Sequence, residues 1–141
     1  MNITAFLDEI AMWAAAQPDV VGVALVGSHA HGVATQESDV DVMILTTNIE
    51  KYFQSEAWAS LFGQVEKADV EHWGVVETLR CFYKGGLELE FNFASPSWAG
   101  VPVDAGTRRV VSDGMRILLD SQSVLETLQR EVGGSRHKDR S

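Results

Sequence analysis

The sequence predicts an α+β domain. Three observations carry that expectation: an amphipathic helical stripe at the start, short β-branched runs that suit buried strands, and a central pair of strand-like segments joined by two glycines. Residues 3–16 place Ile3, Phe6, Leu7, Ile10, Trp13 and Ala14 on one stripe at helical spacing, and Gln17-Pro18-Asp19 ends it. Val20 to Val26 is a short apolar run rich in β-branched residues, which fits a strand buried on both faces. Gly27 to Thr35 reads as a turn opening a short helix. Ser38 to Thr46 reads as a second strand, with Val40, Val42, Ile44 and Leu45 for the core. Ile49, Tyr52, Phe53, Ala57 and Leu61 mark a second amphipathic helix.

The middle of the chain is β-rich. Val65 to Val70, Val75 to Tyr83 and Leu87 to Phe93 read as strands, the last two joined through Gly85-Gly86. Residues 95–102 read as a loop. Asp104 or Thr107 is placed to cap a short helix that ends at Gly114. Met115 to Leu119 gives a last strand, and Val124, Leu125, Leu128 and Val132 stripe a final helix. One domain is expected over residues 1–132. The tail from Gly133 to Ser141 has no apolar anchor and is expected to be disordered.

Composition narrows the function classes. With 141 residues, 45% apolar and 22% charged, the chain suits a single globular core. No apolar run reaches the roughly 18 residues of a membrane span. The start, with Asn2, Thr4, Asp8 and Glu9, lacks the basic residues of a signal peptide, so a cytoplasmic location is expected. The lone Cys81 excludes an internal disulfide and a multi-cysteine zinc site. Eleven basic against 20 acidic residues leave a net charge of −9, which disfavours duplex nucleic acid and anionic membranes as partners.

Chemistry concentrates in residues 27–42. Gly27-Ser28 directly follows a buried strand, and the segment after it has helix potential, so free N–H groups there can face an anion. Asp39 and Asp41 then open a strand two residues apart, which puts both carboxylates on one sheet face. Such a pair repels unless a cation lies between, and carboxylate oxygens suit hard ions such as Mg²⁺. Other phosphate-loop spellings fail. Val33-Ala34 stands where a Walker A loop needs Lys and Ser/Thr, and no Gly-x-Gly-x-x-Gly occurs.

Gly27-Ser28, Ala30, Gly32, Ala34 and Ser38-Asp39-Val40-Asp41-Val42 resemble the signature of the DNA polymerase β-like nucleotidyltransferase superfamily, in order and in spacing. His31 departs from it, standing where the family usually has Arg; a mostly neutral imidazole holds a phosphate less firmly. The resemblance implies the nucleotidyltransferase fold: a two-layer α+β arrangement, with a mixed twisted sheet and helices on one face. It implies that Gly27, Ser28 and Ser38 contact the nucleotide and that Asp39 and Asp41 bind two Mg²⁺ ions. It also implies a third carboxylate on a later strand, as metal ligand and proton acceptor.

Leu87-Glu88-Leu89-Glu90-Phe91-Asn92-Phe93 meets that last requirement. The apolar residues alternate onto one face, and Glu88, Glu90 and Asn92 onto the other. Glu88 and Glu90 both qualify; Glu90 is preferred because it lies deeper in the strand. The catalytic and metal-binding set is therefore Asp39, Asp41 and Glu90. His29 and His31 lack an evident third metal partner. Cys81 reads as a small buried hydrophobe. Arg80, Lys84, Arg108 and Arg109 suit either a phosphate contact or ordinary surface charge. The four tryptophans read mainly as core or interface anchors, with Trp98 also placed to stack on a base or acceptor.

The activity this implies is Mg²⁺-dependent transfer of a nucleoside monophosphate from a nucleoside triphosphate such as ATP to a hydroxyl. The acceptor is a small molecule or a protein, and pyrophosphate is released. The alternative is an antitoxin-like interaction protein that binds or nucleotidylates a toxin. Because the chain ends soon after the core, a homodimer or a small helical partner is expected to complete the acceptor pocket.

Overall fold

Val20–Val26 (β1) has no polar side chain and is buried at all seven positions, so it needs cover on both faces. This strand organises the computed structural model, which describes residues 3–27 and 39–140, with side chains through residue 133. The first helix, α1, spans Ile3–Ala15 and buries Leu7, Ile10 and Ala14. Val40–Thr46 (β2) pairs antiparallel with β1. The strands Val65–Trp73 (β3), Val76–Tyr83 (β4) and Glu88–Ala94 (β5) form an antiparallel meander. Met115–Asp120 (β6) pairs antiparallel with β1. The sheet order is β3-β4-β5-β2-β1-β6, and β2 with β5 is the parallel pair.

The α+β class and the mixed sheet are as expected, but the layering is fuller than helices on one face. Odd and even residues of β1 and β2 enter two different cores. Val23, Leu25, Val42 and Ile44 join α1 and the aromatic residues Tyr52, Phe62, Phe91 and Phe93 on one side. Ala24, Val26, Met43 and Leu45 join Trp98, Val111, Leu125 and Leu128 on the other. Ala105–Asp113 (α3) and Val124–Arg140 (α4) cover this second face. Asp104 caps α3 by accepting from the N–H groups of Gly106 and Thr107. The physical reason for the extra layer is the two-sided apolarity of β1 and β2, which one helical layer leaves half uncovered. The α4 backbone stays helical past Gly133, beyond its buried stripe of Leu125, Leu128 and Val132. No helix among the described residues is long and apolar enough to cross a membrane.

The helix expected over Ile49–Leu61 is two shorter pieces. Lys51–Gln54 (α2) ends where Ser55 turns extended, and Ala57–Phe62 is a 3-10 segment that leaves Leu61 exposed. Tertiary contacts outweigh the helical period here. The Trp58 indole donates to the Tyr52 carbonyl at 3.0 Å and stacks on Trp13, with ring centroids 5.1 Å apart.

A half-buried carboxylate ties α2 to the sheet. Asp19, just before β1, accepts from Lys51 Nζ at 2.6 Å, Thr46 Oγ1 at 2.5 Å and Tyr52 Oη at 2.6 Å. Burial alone would raise its pKa, but these donors outweigh that and hold it near 2, below the ordinary 3.8. Because the folded pKa is depressed, this stability is present above pH 3.8 and is lost as pH falls through about 2. Asp19→Ala leaves three donors without their acceptor and should cost about 2–4 kcal/mol. Urea unfolding at pH 7 checks this. A loss under about 1 kcal/mol would mean that water replaces the carboxylate at little cost.

Candidate active site

The parallel β2–β5 pairing starts both strands at the same end of the sheet, and antiparallel β1 finishes there. The register sets Asp41 beside Glu90 and Val26 beside Asp41. One cross-strand row therefore reads Asp69, Arg80, Glu90, Asp41, Val26 from β3 to β1. A second reads Glu71, Thr78, Asn92, Met43. Where α3 and α4 cover the sheet these rows are apolar. Over β5, β4 and β3 they are polar and lack that cover.

Asp39, Glu88 and Glu90 each offer an oxygen, and these atoms lie within 4.8 Å of one another. Asp41 is hydrogen-bonded to Glu90 and close enough to Asp39 to feel its charge. Burial first, then the Glu90 hydrogen bond and the negative charges of Glu90 and Asp39, raise the Asp41 pKa to about 8. Burial and a hydrogen bond with Asp39 raise Glu88 to about 7. The cluster thus holds more negative charge than its surroundings neutralise. Carboxylate oxygens at this separation are a donor set that fits a hard divalent cation.

Gly27 explains how the chain leaving β1 can sit against these acids. Its φ is +76°, and a Cβ there would stand 2.6 Å from Asp41 Oδ2. Only a residue without a side chain lets the turn after β1 approach the carboxylate this closely. Ser28, His29, Ala30, His31, Gly32, Ala34 and Ser38 lie outside the described residues.

The structure brings Gly27, Asp39, Asp41 and Glu90 together, and it adds Glu88 to the group. It also adds Arg80, whose guanidinium contacts Glu90 directly and lies 3.4 Å from Glu71 and 3.8 Å from Glu88. The sequence signal for Arg80 was the alternation of Thr78 and Arg80 against the buried Leu79 and Cys81. Thr78 donates to Asn92 at 2.6 Å, and Asn92 donates to the Val42 carbonyl at 3.2 Å, bracing β4, β5 and β2 beneath the acids. Lys84, Arg108 and Arg109 make no ion pair with these acids among the described residues. Cys81 is buried, and burial pushes its thiol up to about 11, far from a reactive thiolate.

A cleft adjoins the acids. Its inner part, about 280 Å³, is lined by Gly27, Asp41, Asn92 and Asp113 among others. Its outer part, about 800 Å³, reaches Ser95, Ser97 and Asp104. Trp73, Val76, Trp98 and Val110 line both parts. Trp13 and Trp58 are aromatic core, as expected, whereas Trp73 is exposed on the β3–β4 hairpin.

Comparison with known proteins agrees with this geometry. The family model described as nucleotidyltransferase domain matches residues 11–85, more than half of the chain. The chain belongs to the nucleotidyltransferase domain family. The matched span holds Gly27, Asp39 and Asp41 and stops before Glu88 and Glu90. Among solved structures, the domain is similar to an aminoglycoside 6-adenyltransferase from Bacillus subtilis. The TM-score is 0.57 at 14% identity, over 70% of this chain and 37% of that one. It is also similar to Cid1 in complex with the UTP analogue UMPNPP, with a TM-score of 0.50 at 14% identity, over 78% of this chain and 32% of that one. The nucleotidyltransferase domain thus spans about a third of the length of these two structures, and at such identity the likeness is one of fold. No curated protein sequence matches significantly.

The raised Asp41 pKa predicts an inverted pH response in metal-free buffer. Its contribution to stability is fully present below pH 3.8 and is lost as pH rises through about 8. Melting in EDTA should therefore show a decline across that window. Asp41→Asn should flatten the decline and melt higher than the wild type at pH 8. An Asn variant with an unchanged slope would show that Asp41 is not the uncompensated charge.

Proposed function

We propose that this nucleotidyltransferase domain moves a nucleoside monophosphate from a nucleoside triphosphate to a hydroxyl group, releasing pyrophosphate. The observation that carries this reading is the β2–β5 register, which sets Asp41 beside Glu90 and next to the Gly27 turn. The turn at Gly27-Ser28, with Ser38, binds the nucleotide phosphates. Asp39, Asp41 and Glu90 hold two Mg²⁺ ions. When bound, Mg²⁺ offsets phosphate charge and stabilises the departing oxygen. Glu90 takes the proton of the acceptor hydroxyl as its oxygen bonds to the α-phosphorus. The bond to the β-phosphate oxygen breaks, and pyrophosphate leaves with the electron pair. Holding the two reactants in line supplies much of the acceleration.

The acceptor site is the cleft between Trp73 and Trp98. Asp41, Asp104 and Asp113 are among its lining residues, and among the described residues no Lys, Arg or His lines it. An acidic cleft with aromatic walls favours a small acceptor that carries amines as well as hydroxyls. The adenyltransferase likeness supports the same acceptor class. The antitoxin-like alternative draws no support from these likenesses.

Incubation with each labelled nucleoside triphosphate, Mg²⁺ and a panel of amine-bearing and neutral alcohols tests the reading through pyrophosphate release. Glu90→Gln should cut turnover by at least about 10²-fold, because it removes a proton acceptor. Glu88→Gln should cost far less. If the two variants exchange behaviours, Glu88 is the third carboxylate. Gly27→Ala should weaken nucleotide binding, measured by calorimetry, because its side chain would displace the Asp41 carboxylate. Unchanged affinity in that variant would separate the turn from the phosphates.

A further inference from the structure

Arg80 has a place that a surface arginine does not need. It projects from β4 onto the open face, in the same cross-strand row as Glu90 and Asp41. Its guanidinium contacts Glu90, Glu71 and Glu88. Every ion pair these three acids make among the described residues goes to Arg80. Its Nε is buried with no hydrogen-bond partner among the described residues, so the head group is held by its ion pairs and not by a full set of hydrogen bonds. Glu88 and Glu90 are therefore shared. Each belongs to the oxygen cluster with Asp39 and also to the clasp on Arg80.

Resting on the reading above that these carboxylates hold divalent ions, we infer that Arg80 is a positioning residue and built-in counter-ion of the metal site. It orients Glu90 and Glu88, and its charge keeps the ion's affinity low until a nucleotide arrives. Two physical effects lead there. The guanidinium fixes the Glu90 carboxylate in a planar, directional contact that lysine cannot reproduce, and it draws Glu88, 3.8 Å away, by charge. Its positive charge also opposes a divalent ion entering the same oxygens. In a water-exposed site, one unit charge a few ångströms from a divalent ion is worth about tenfold in affinity. The several negative charges of a triphosphate offset that repulsion, so ion and nucleotide bind more tightly together than separately.

The test reads metal binding without turnover. Mn²⁺ binding to the protein alone, followed by electron paramagnetic resonance, is compared for wild type, Arg80→Gln and Arg80→Lys, with folding checked by thermal melting. Arg80→Gln should bind Mn²⁺ about tenfold more tightly, while turnover with saturating Mn²⁺ and nucleotide falls because Glu90 is no longer held. Arg80→Lys keeps the charge, so its Mn²⁺ affinity should stay within about twofold of wild type while turnover still falls. A merely structural arginine would weaken metal binding in both variants, and that result overturns the proposal. Should Arg80→Gln fail to fold, the Lys variant decides: wild-type turnover, or a tenfold loss of Mn²⁺ affinity, refutes the positioning role. If no variant binds Mn²⁺, the metal reading and this proposal fall together. If binding follows the expected order but no nucleotide is transferred, only the transferase reading falls.

Discussion

The parallel pairing of β2 with β5 is the constraint on which the site depends. Two strands that start at the same end of a sheet bring their beginnings together, and here acids flank the paired Val40 and Leu89: Asp39 and Asp41 on one chain segment, Glu88 and Glu90 on the other. Antiparallel β1 then delivers its last residues to the same place. Acids far apart in the chain become neighbours without any loop having to carry them. Placement on strands also fixes their spacing more firmly than loops would. The connection from β2 to β5 is long enough to add β3 and β4 at the sheet edge, and β4 supplies the cation that holds the acids.

That gathering has an electrostatic cost which the fold leaves partly unresolved. Asp39, Asp41, Glu88 and Glu90 crowd one end of the sheet, and Arg80 is the ion-pair partner that the described residues provide. Burial first, and then the neighbouring acids, raise the pKa values of Asp41 and Glu88. Elsewhere the molecule behaves differently. Asp19 is surrounded by three donors and its pKa falls. The contrast separates a carboxylate used for holding the fold from carboxylates kept short of partners. Groups of the second kind are characteristic of functional sites.

The two faces of the sheet divide the labour. One is packed continuously with aliphatic and aromatic residues, including the ring cluster of Trp13, Tyr52, Trp58, Phe91 and Phe93. The other is packed over β6, β1 and β2, where α3 and α4 lie, and at the far ends of β5 and β4 through Ala94 and Val76. The uncovered remainder exposes the acidic row and the cleft walled by Trp73 and Trp98. A rigid core on one side and an open polar surface on the other let the strands hold charged groups firmly in contact with solvent.

Much of this was legible in the residues themselves. The apolar stripe of the first helix, the two-sided burial of Val20–Val26, the Asp39/Asp41 spacing and the alternation over Glu88–Phe93 are local periodicities, and local periodicity survives without a fold. So does the glycine at position 27 beside a strand end, because a positive φ and close approach are glycine's own properties. Tertiary structure decided the rest. The segment after Asn48 broke into two short pieces because Trp58 packs back on Trp13 and Tyr52, a contact between residues remote in sequence. Helices came to cover both faces because one side of β1 packs on α1, just before it, while the other is satisfied only by α3 and α4, which arrive much later in the chain. Glu88 came to the acids together with Glu90, where alternation alone offered either one, Arg80 became their counter-ion, and Trp73 became a cleft wall instead of core. Each of these depends on strand order and register, which are set by pairing between distant segments and leave no mark in the spacing of any one of them.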